Sequence, residues 1–140
     1  MVRFTDLELI KALREDSSRS HAELARIFGV TEAAIRKRIR KLQSEGVIKT
    51  FTLEVDVRKL GFDVHALIGL DASPEKLIKV LEDLKCMDEV ISLYMSSGDH
   101  MVLIECWFKD TEELSSFVKK LNNIDGVVKI CPAILLEKIK

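Results

Sequence analysis

The chain of 140 residues, 47% hydrophobic and 32% charged, suits one ordinary domain or two small ones, each near the lower limit for burying its own core. No apolar run reaches the roughly 18 residues of a membrane span, and no signal peptide pattern follows Met1, so we expect a soluble cytoplasmic protein. The net charge of −1 is divided unevenly: residues 1–50 carry 11 Lys/Arg against 7 Asp/Glu, and residues 51–140 carry 11 against 16, so only the first part favours a polyanionic partner.

Capping patterns predict three helices in the first part of the chain. The T-x-x-E pattern at Thr5 opens the first helix, and the related pattern at Ser20 opens a short second helix that Gly29 stops. One residue separates Gly29 from Thr31, the predicted N-cap of a third helix that Gly46 closes. The second and third helices therefore form a helix-turn-helix corner.

The third helix, Thr31–Glu45, combines an apolar stripe with a cationic face. Ile35, Ile39 and Leu42 recur at i, i+4 and i+7, and five of the six residues from 36 to 41 are basic. Side chains opposite the stripe can enter a DNA groove. The predicted DNA-binding residues are Ser20, His21, Thr31, Ala33, Arg36, Lys37, Arg40 and Lys41. Arg38 lies close to the stripe and is expected to pair with an acidic group or a helix carbonyl.

These contacts have simpler alternatives. A run of charges is most often a solvated helix face, but the glycine corner before this run and the apolar stripe behind it favour DNA. Ser20 and His21 are explained equally well as a helix start that donates to a phosphate and as a plain cap with a bystander histidine.

The remaining chain predicts a second architecture. Residues 47–55 (VIKTFTLEV) alternate and are rich in β-branched side chains, which is typical of a two-stranded wing or of a strand beside the helices. We expect a helix-turn-helix domain at 1–50, a wing strand and linker at 51–61, and a second domain at 62–140. In the second domain, strands at 62–70, 90–95, 101–108 and 127–136 and helices after Ser73 and after Asp110 give the order β-α-β-β-α-β.

An internal repeat with an offset of 37 residues aligns the two β-α-β halves. The prediction is therefore an α+β, ferredoxin-like domain with both helices on one face of a four-stranded antiparallel sheet. Leu67, Leu103 and Trp107 fall on the other face, which is too apolar for water, so we expect a second copy to cover it in a homodimer. His65 is expected to be a packed sheet residue rather than a ligand.

Seven short motifs stand in order along the chain. They are Leu24-Ala25, Gly29, the Thr31–Leu42 helix with Arg38-Ile39, Gly46-Val47-Ile48, Leu60-Gly61, Ser97-Gly98-Asp99 and Asp125-Gly126-Val127. Together they resemble the Lrp/AsnC family, also called feast/famine regulators. The resemblance implies a winged helix-turn-helix joined to a ligand-sensing RAM domain, dimers that assemble further to tetramers or octamers, and transcription regulation in response to amino acids or related metabolites.

The resemblance also implies an effector site between neighbouring dimers, at the turn between the second and third strands. Carried onto this chain, its residues are Tyr94, Met95, Ser96, Ser97, Gly98, Asp99 and His100. Asp99 suits an ammonium group, serine hydroxyls and glycine N–H groups suit a carboxylate, and His100 suits a role in selectivity. The alternative is a tight hairpin chosen only for its geometry, and Met101 stands where many relatives have an aspartate.

The predicted function is a sequence-specific transcription regulator that binds double-stranded DNA at a pseudo-palindromic promoter site. A non-specific architectural DNA-binding protein is the alternative, and an enzyme resembling siroheme decarboxylases is a minor third class. Three widely spaced cysteines and three histidines offer no metal-ligand spacing, and no nucleophile has an identifiable base. We therefore predict no catalytic residue, no cofactor, no metal and no enzymatic activity.

Overall fold

The computed structural model describes residues 4–140, which divide into two compact units between Glu54 and Val55. This division falls inside the predicted linker segment, 51–61. The first unit contains only helices, and the second contains a sheet and two α-helices. Each unit has its own cluster of buried apolar side chains, and the two clusters share no residue.

Three α-helices build the N-terminal unit: α1 (Asp6–Glu15), α2 (His21–Phe28) and α3 (Glu32–Ser44). Each begins after its predicted cap, because the side chains of Thr5, Ser20 and Thr31 accept hydrogen bonds from backbone N–H groups three residues later. Gly29 has φ 65°, a left-handed conformation that lets the chain turn sharply between α2 and α3. The helix-turn-helix prediction is confirmed.

The core of this unit draws on all three helices. Leu9 of α1, Leu24 of α2 and Ile35 of α3 are fully buried, and Leu42 closes the cluster near the end of α3. Each such side chain contributes about 1.5–3 kcal/mol through removal from water. The core therefore fixes the rotation of α3 about its axis and, with it, which residues of α3 face outward.

The predicted strand at residues 47–55 is wrong. No described residue between Ser44 and Val64 forms a strand, and the segment continues instead as an irregular chain. β-branched residues favour extended backbone, but a strand also needs a neighbour to accept and donate its backbone hydrogen bonds, and this chain supplies none here. Within residues 4–140 of one chain, the helix-turn-helix therefore carries no wing strand.

The C-terminal unit has the predicted element order. Its elements are β1 (Val64–Ala72), α4 (Leu77–Lys85), β2 (Val90–Met95), β3 (Val102–Phe108), α5 (Thr111–Asn122) and β4 (Val127–Ile134). The four strands form one antiparallel sheet in the order β2-β3-β1-β4, so the ferredoxin-like prediction is confirmed. The first strand begins two residues later than predicted, because the N–H of Phe62 turns back to the carbonyl of Val57 at 3.2 Å.

The sheet has one face buried by α4 and α5 and one without helices. On β1 and β3 buried side chains alternate with half-buried ones, as the period of a strand requires. We call the second face the open sheet face; its central residues are His65, Leu67, Gly69, Asp71, Leu103, Glu105 and Trp107. The prediction that Leu67, Leu103 and Trp107 share this face is confirmed.

Candidate DNA-binding surface and effector site

The outward side of α3 carries cations, most of which have no carboxylate partner among the residues that the structure describes. We call Arg36, Lys37, Arg40 and Lys41 the basic helix face; all four side chains are exposed, as is Ala33 near the helix start. Along residues 4–140, Arg36, Lys37 and Arg40 make no ion pair, and Lys41 approaches Glu45 at only 3.9 Å. Because unpaired cations in water retain their full attraction for phosphates, this face is suited to a polyanion.

Arg38 behaves differently from its neighbours. Its Nη1 lies 2.7 Å from Oδ1 of Asp6, and its guanidinium carbon lies 4.7 Å from the centre of the Phe4 ring. The side chain is half-buried and joins α3 to the start of α1. The predicted structural role of Arg38 is confirmed.

A concave surface lies beside the basic helix face, between α3 and the start of α2. Arg19, His21, Arg36, Arg40 and Gln43 line it, and no carboxylate does. Arg19 is held in place by the carbonyl of Ala12 at 3.1 Å and by Glu15 at 3.5 Å. The sequence prediction missed Arg19 and Gln43, although the position of Arg19 directly before the Ser20 cap was a usable signal.

Ser20 and Thr31 serve as caps in this structure. The Ser20 hydroxyl accepts from the N–H of Glu23 at 3.1 Å, and the Thr31 hydroxyl accepts from that of Ala34 at 3.1 Å. Ser20 therefore caps α2, while its hydroxyl proton stays available to a phosphate oxygen, so the contact of Ser20 with DNA stays a prediction. His21 is half-buried at the edge of the concave surface.

The turn between β2 and β3 is closed by its own hydrogen bonds. The N–H of Ser96 donates to the carbonyl of Met101 at 2.9 Å, and its hydroxyl donates to the carbonyl of His100 at 2.6 Å. Ser97, Gly98 and Asp99 are exposed at the tip. Tyr94 and Met95 are consecutive in β2 and point to opposite faces of the sheet, so one chain does not bring both of them to one ligand.

One carboxylate ties this turn to β1. Asp71 accepts the backbone N–H of Met101 at 2.9 Å and lies 3.3 Å from Nδ1 of His100. The hydrogen bond from Met101, followed by that from His100, lowers the pKa of Asp71 against the opposing effect of burial. The sequence prediction missed Asp71, because only the pairing of β1 with β3 brings it to a turn some 30 residues away.

A second polar group lies further along the open sheet face. Glu105 is 2.6 Å from Nε2 of His65 and accepts from the hydroxyl of Ser92 at 2.9 Å. Burial raises the pKa of Glu105, but these hydrogen bonds outweigh it and the pKa is lowered overall. His65 is therefore a packed sheet residue, as predicted. The nearby Trp107 indole N–H is buried without a hydrogen bond of good geometry, although it contributes weakly to the lowered pKa of Glu105.

Cysteine reactivity, metal binding and membrane spanning are three further properties on which the structure gives information. Burial raises the pKa of the Cys106 thiol to about 12, which keeps it protonated and unreactive. Within the described part of the chain, no three His, Cys, Asp or Glu side chains are grouped as a metal site. Over the same residues, no helix has the length and apolar character needed to cross a membrane.

Comparisons with known proteins cover both units. Residues 5–43 match the AsnC-type helix-turn-helix domain, and residues 65–140 match the Lrp/AsnC ligand binding domain. The HTH-type transcriptional regulator LrpA of Pyrococcus abyssi is 41% identical over 141 residues, which span both chains completely, and LrpA of Pyrococcus horikoshii is 40% identical over the same span.

Solved structures share the fold. The structure of E. coli AsnC superposes with a TM-score of 0.79 at 26% identity, covering 99% of this chain and 95% of that one. A transcriptional regulator from Neisseria meningitidis, in complex with L-Met, superposes with a TM-score of 0.85 over 100% of this chain and 93% of that one. Its identity to this chain is 19%, so it shows the fold alone.

Proposed function

The chain belongs to the Lrp/AsnC family of transcription regulators, and from this premise we propose that it regulates transcription by binding specific DNA sites as a homodimer or larger assembly under the control of an amino acid. The predicted family resemblance is confirmed. The helix-turn-helix match and the names of the relatives favour a DNA-binding regulator over an enzyme. The observation that carries the proposal is the exposed basic helix face of α3, of which Arg36, Lys37 and Arg40 make no ion pair among residues 4–140.

In the proposed complex, α3 enters the major groove. The small side chain of Ala33 allows close approach to base edges, and Lys37 and Arg40 reach bases or phosphates. Arg19 extends the cationic surface, and His21 adds a hydrogen-bonding ring, toward the backbone of the DNA strand that passes the start of α2. A dimer presents two such helices, so we expect a pseudo-palindromic site with half-sites about 34–36 Å apart or a multiple of that spacing.

The proposed dimer covers the open sheet face. Leu67, Leu103 and Trp107 give this face an apolar centre that stays half-exposed in one chain. Its charged side chains are already paired, as with His65 and Glu105, so a second sheet would not leave them buried alone. A two-fold pairing of identical faces is the simplest closed arrangement, and tetramers or octamers would use further surfaces.

The proposed effector is an amino acid bound at residues 94–100. The C-terminal unit matches a ligand-binding domain, and the Neisseria meningitidis neighbour is described with L-Met bound. In this chain the exposed tip residues Ser97, Gly98 and Asp99 offer a hydroxyl, a backbone N–H and a carboxylate without an ion pair among residues 4–140. Such groups suit a zwitterion.

A footprinting experiment tests the DNA part. The wild-type protein is titrated on the DNA upstream of its own gene and on a scrambled fragment of equal length, at salt from about 50 to about 200 mM. A specific regulator protects a defined two-part site that persists after binding to the scrambled fragment is lost. Protection spread evenly over both fragments would favour the architectural alternative, since cations that contact only phosphates carry no sequence information.

A thermal-shift screen of the twenty amino acids tests the effector part. A ligand that binds only the native protein must raise the melting temperature, by an amount that grows with its concentration above Kd. If none of the twenty raises it at millimolar concentration, the amino-acid effector is wrong, while the footprint still decides the DNA role.

A further inference from the structure

The concave surface beside the basic helix face is large enough to hold a small molecule. Its volume is about 360 Å³, near the lower end of the range of about 300–1,000 Å³ that is usual for ligand pockets. Every residue that lines it belongs to the N-terminal unit, so the surface is complete within that unit. A ligand of this size corresponds to one small organic molecule rather than to a peptide.

Three guanidinium groups line the concave surface. Arg36 and Arg40 stand one turn apart on α3 and make no ion pair among residues 4–140, while Arg19 lies before α2. The carboxylate nearest to Arg19 is that of Glu15 at 3.5 Å, and it is 74% exposed, so it neutralises Arg19 only weakly. Like charges one helical turn apart repel each other. An anion bound between the three groups would relieve this repulsion.

The Arg19 side chain is held in place before any ligand arrives. Its Nη1 donates to the carbonyl of Ala12 at 3.1 Å, and the side chain is only 23% exposed. A guanidinium group has five N–H donors in a planar fork, which matches two oxygens of one phosphate and loses little freedom on binding when it is already fixed. Three such groups suit a phosphate monoester, which carries about −1.5 to −2 charges at pH 7.

The same surface also offers a flat apolar wall. Phe51, from the irregular segment after α3, lines it with a ring that is 49% exposed, and the buried side chains of Leu24 and Ile39 lie beneath. The side-chain amide of Gln43 makes no hydrogen bond among residues 4–140 and can both donate and accept. An aromatic face for stacking and a free amide are groups that bind a nucleobase.

We propose that the concave surface binds a free nucleoside monophosphate, with its phosphate on Arg19, Arg36 and Arg40 and its base against Phe51, and that this nucleotide competes with DNA. A nucleotide within a DNA strand offers the same phosphate and base. However, a base in duplex DNA is stacked and paired and would have to flip out to reach Phe51, whereas a free nucleotide avoids that cost. The inference adds a ligand to the DNA-binding unit itself, and only its competition part rests on the proposed function.

Calorimetry without DNA tests the binding. The wild-type protein is titrated at constant ionic strength with the four nucleoside monophosphates AMP, GMP, CMP and UMP, with their nucleosides and with inorganic phosphate. We expect at least one nucleotide to bind about tenfold or more tightly than its nucleoside and than inorganic phosphate, because only the nucleotide engages both the guanidinium groups and the aromatic wall.

Two variants, each with a matched control, locate the bound nucleotide. Arg19→Gln should weaken its binding at least about tenfold, and Phe51→Ala about tenfold while leaving the affinity for inorganic phosphate unchanged. The controls are Arg26→Gln, which removes an exposed cation from α2, and Leu53→Ala, which removes an apolar side chain that is 82% exposed. Neither control residue lines the concave surface, so both controls should bind the nucleotide like the wild type. Urea unfolding verifies that all four variants are folded.

A gel shift on the footprinted site tests the competition. Adding the nucleotide at constant ionic strength should raise the apparent Kd for DNA, and its nucleoside at the same concentration should not.

Four results would overturn the inference. If no nucleotide binds without DNA, the inference fails, while the footprint still decides the DNA role. If no nucleotide binds but Arg19→Gln and Phe51→Ala weaken DNA binding, the surface serves the DNA strand alone. If a nucleotide binds equally well to these two variants and to their controls, it lies elsewhere on the protein. If it binds as proposed but leaves the affinity for DNA unchanged, the competition is wrong.

Discussion

The basic helix face and the open sheet face differ in whether their charged side chains form pairs. Arg36, Lys37 and Arg40 stand in water without an ion pair among residues 4–140, whereas the sheet pairs His65 with Glu105 and His100 with Asp71. Unpaired cations cost nothing to leave in water and attract a polyanion from outside. Paired charges on an apolar sheet tolerate being covered. The comparison favours DNA as the partner of the first surface and a second copy of the chain as the partner of the second.

The largest expected effect is the loss of stability when a buried side chain is truncated in the core of one unit and the core of the other unit is left intact. Leu24→Ala should cost about 2–5 kcal/mol in the N-terminal unit, and Ile104→Ala about as much in the C-terminal unit, because each truncates a fully buried side chain. Hydrogen exchange followed by mass spectrometry should show faster exchange in α1 to α3 for the first variant and in the sheet for the second. Equal acceleration in both units would show that the two cores are not independent.

The next largest effect is on dimer formation, and it distinguishes the open sheet face from other exposed apolar residues. Leu67→Asp buries an unpaired carboxylate in the proposed dimer, which should weaken the dimer by about 3 kcal/mol or more, a factor above a hundred. Ile78→Asp is the control, since Ile78 is exposed on α4 within the same unit. Sedimentation velocity should show monomers for the first variant and dimers or larger assemblies for the second. Dimers from both would mean that another surface pairs the chains.

The neighbouring cations Lys37 and Arg38 of α3 should differ in their effects on stability and on DNA binding. Arg38→Ala removes the contacts to Asp6 and Phe4 and should lower the free energy of unfolding by about 1 kcal/mol, a modest value because both charges are partly in water. Lys37→Ala should leave stability unchanged and weaken DNA binding. Urea unfolding and gel shifts on both variants check this crossed pattern. A loss of stability for Lys37→Ala would contradict its outward role.

The smallest effect is the acid response of the open sheet face. The pKa of Glu105 and that of Asp71 are lowered in the folded chain, so the stability that they contribute is present above the ordinary values of 4.5 and 3.8 and is lost as the pH falls through the lowered ones. The free energy of unfolding should therefore fall more steeply below pH 4.5 in the wild type than in Glu105→Gln. Parallel curves would show that Glu105 is not stabilised by His65 and Ser92.

Local sequence patterns sufficed to predict the helices and their caps. The features that the sequence prediction missed depend on pairing between segments that are far apart in the chain. Thr5, Ser20 and Thr31 are caps whose partners lie three residues away, so the sequence sufficed to find them. Whether the segment after α3 forms a strand depends on whether a neighbouring strand exists to pair with it. Its β-branched residues could not reveal that.

The same limit applies to the sites. The basic helix face follows from helical periodicity and was predicted residue by residue. The contacts of His100 with Gly69 and Asp71 arise because the register of β1 and β3 brings β1 to the turn before β3, and only His100 was foreseen. A one-residue shift of β1 would move Gly69 and Asp71 to the opposite face, which is why sequence alone did not connect them.

The central claim is that the exposed cations of α3 bind DNA. Its most direct test compares the affinity for the footprinted site, and its salt dependence, between Arg36→Ala/Lys37→Ala/Arg40→Ala and the control Lys79→Ala/Lys85→Ala/Lys119→Ala, which removes the same charge from exposed positions on α4 and α5. We expect the first variant to lose roughly a hundredfold or more in affinity and about one unit of salt slope per phosphate contact removed, and the control to stay near wild type. Equal losses for both variants would contradict the claim, because net charge alone would then explain binding.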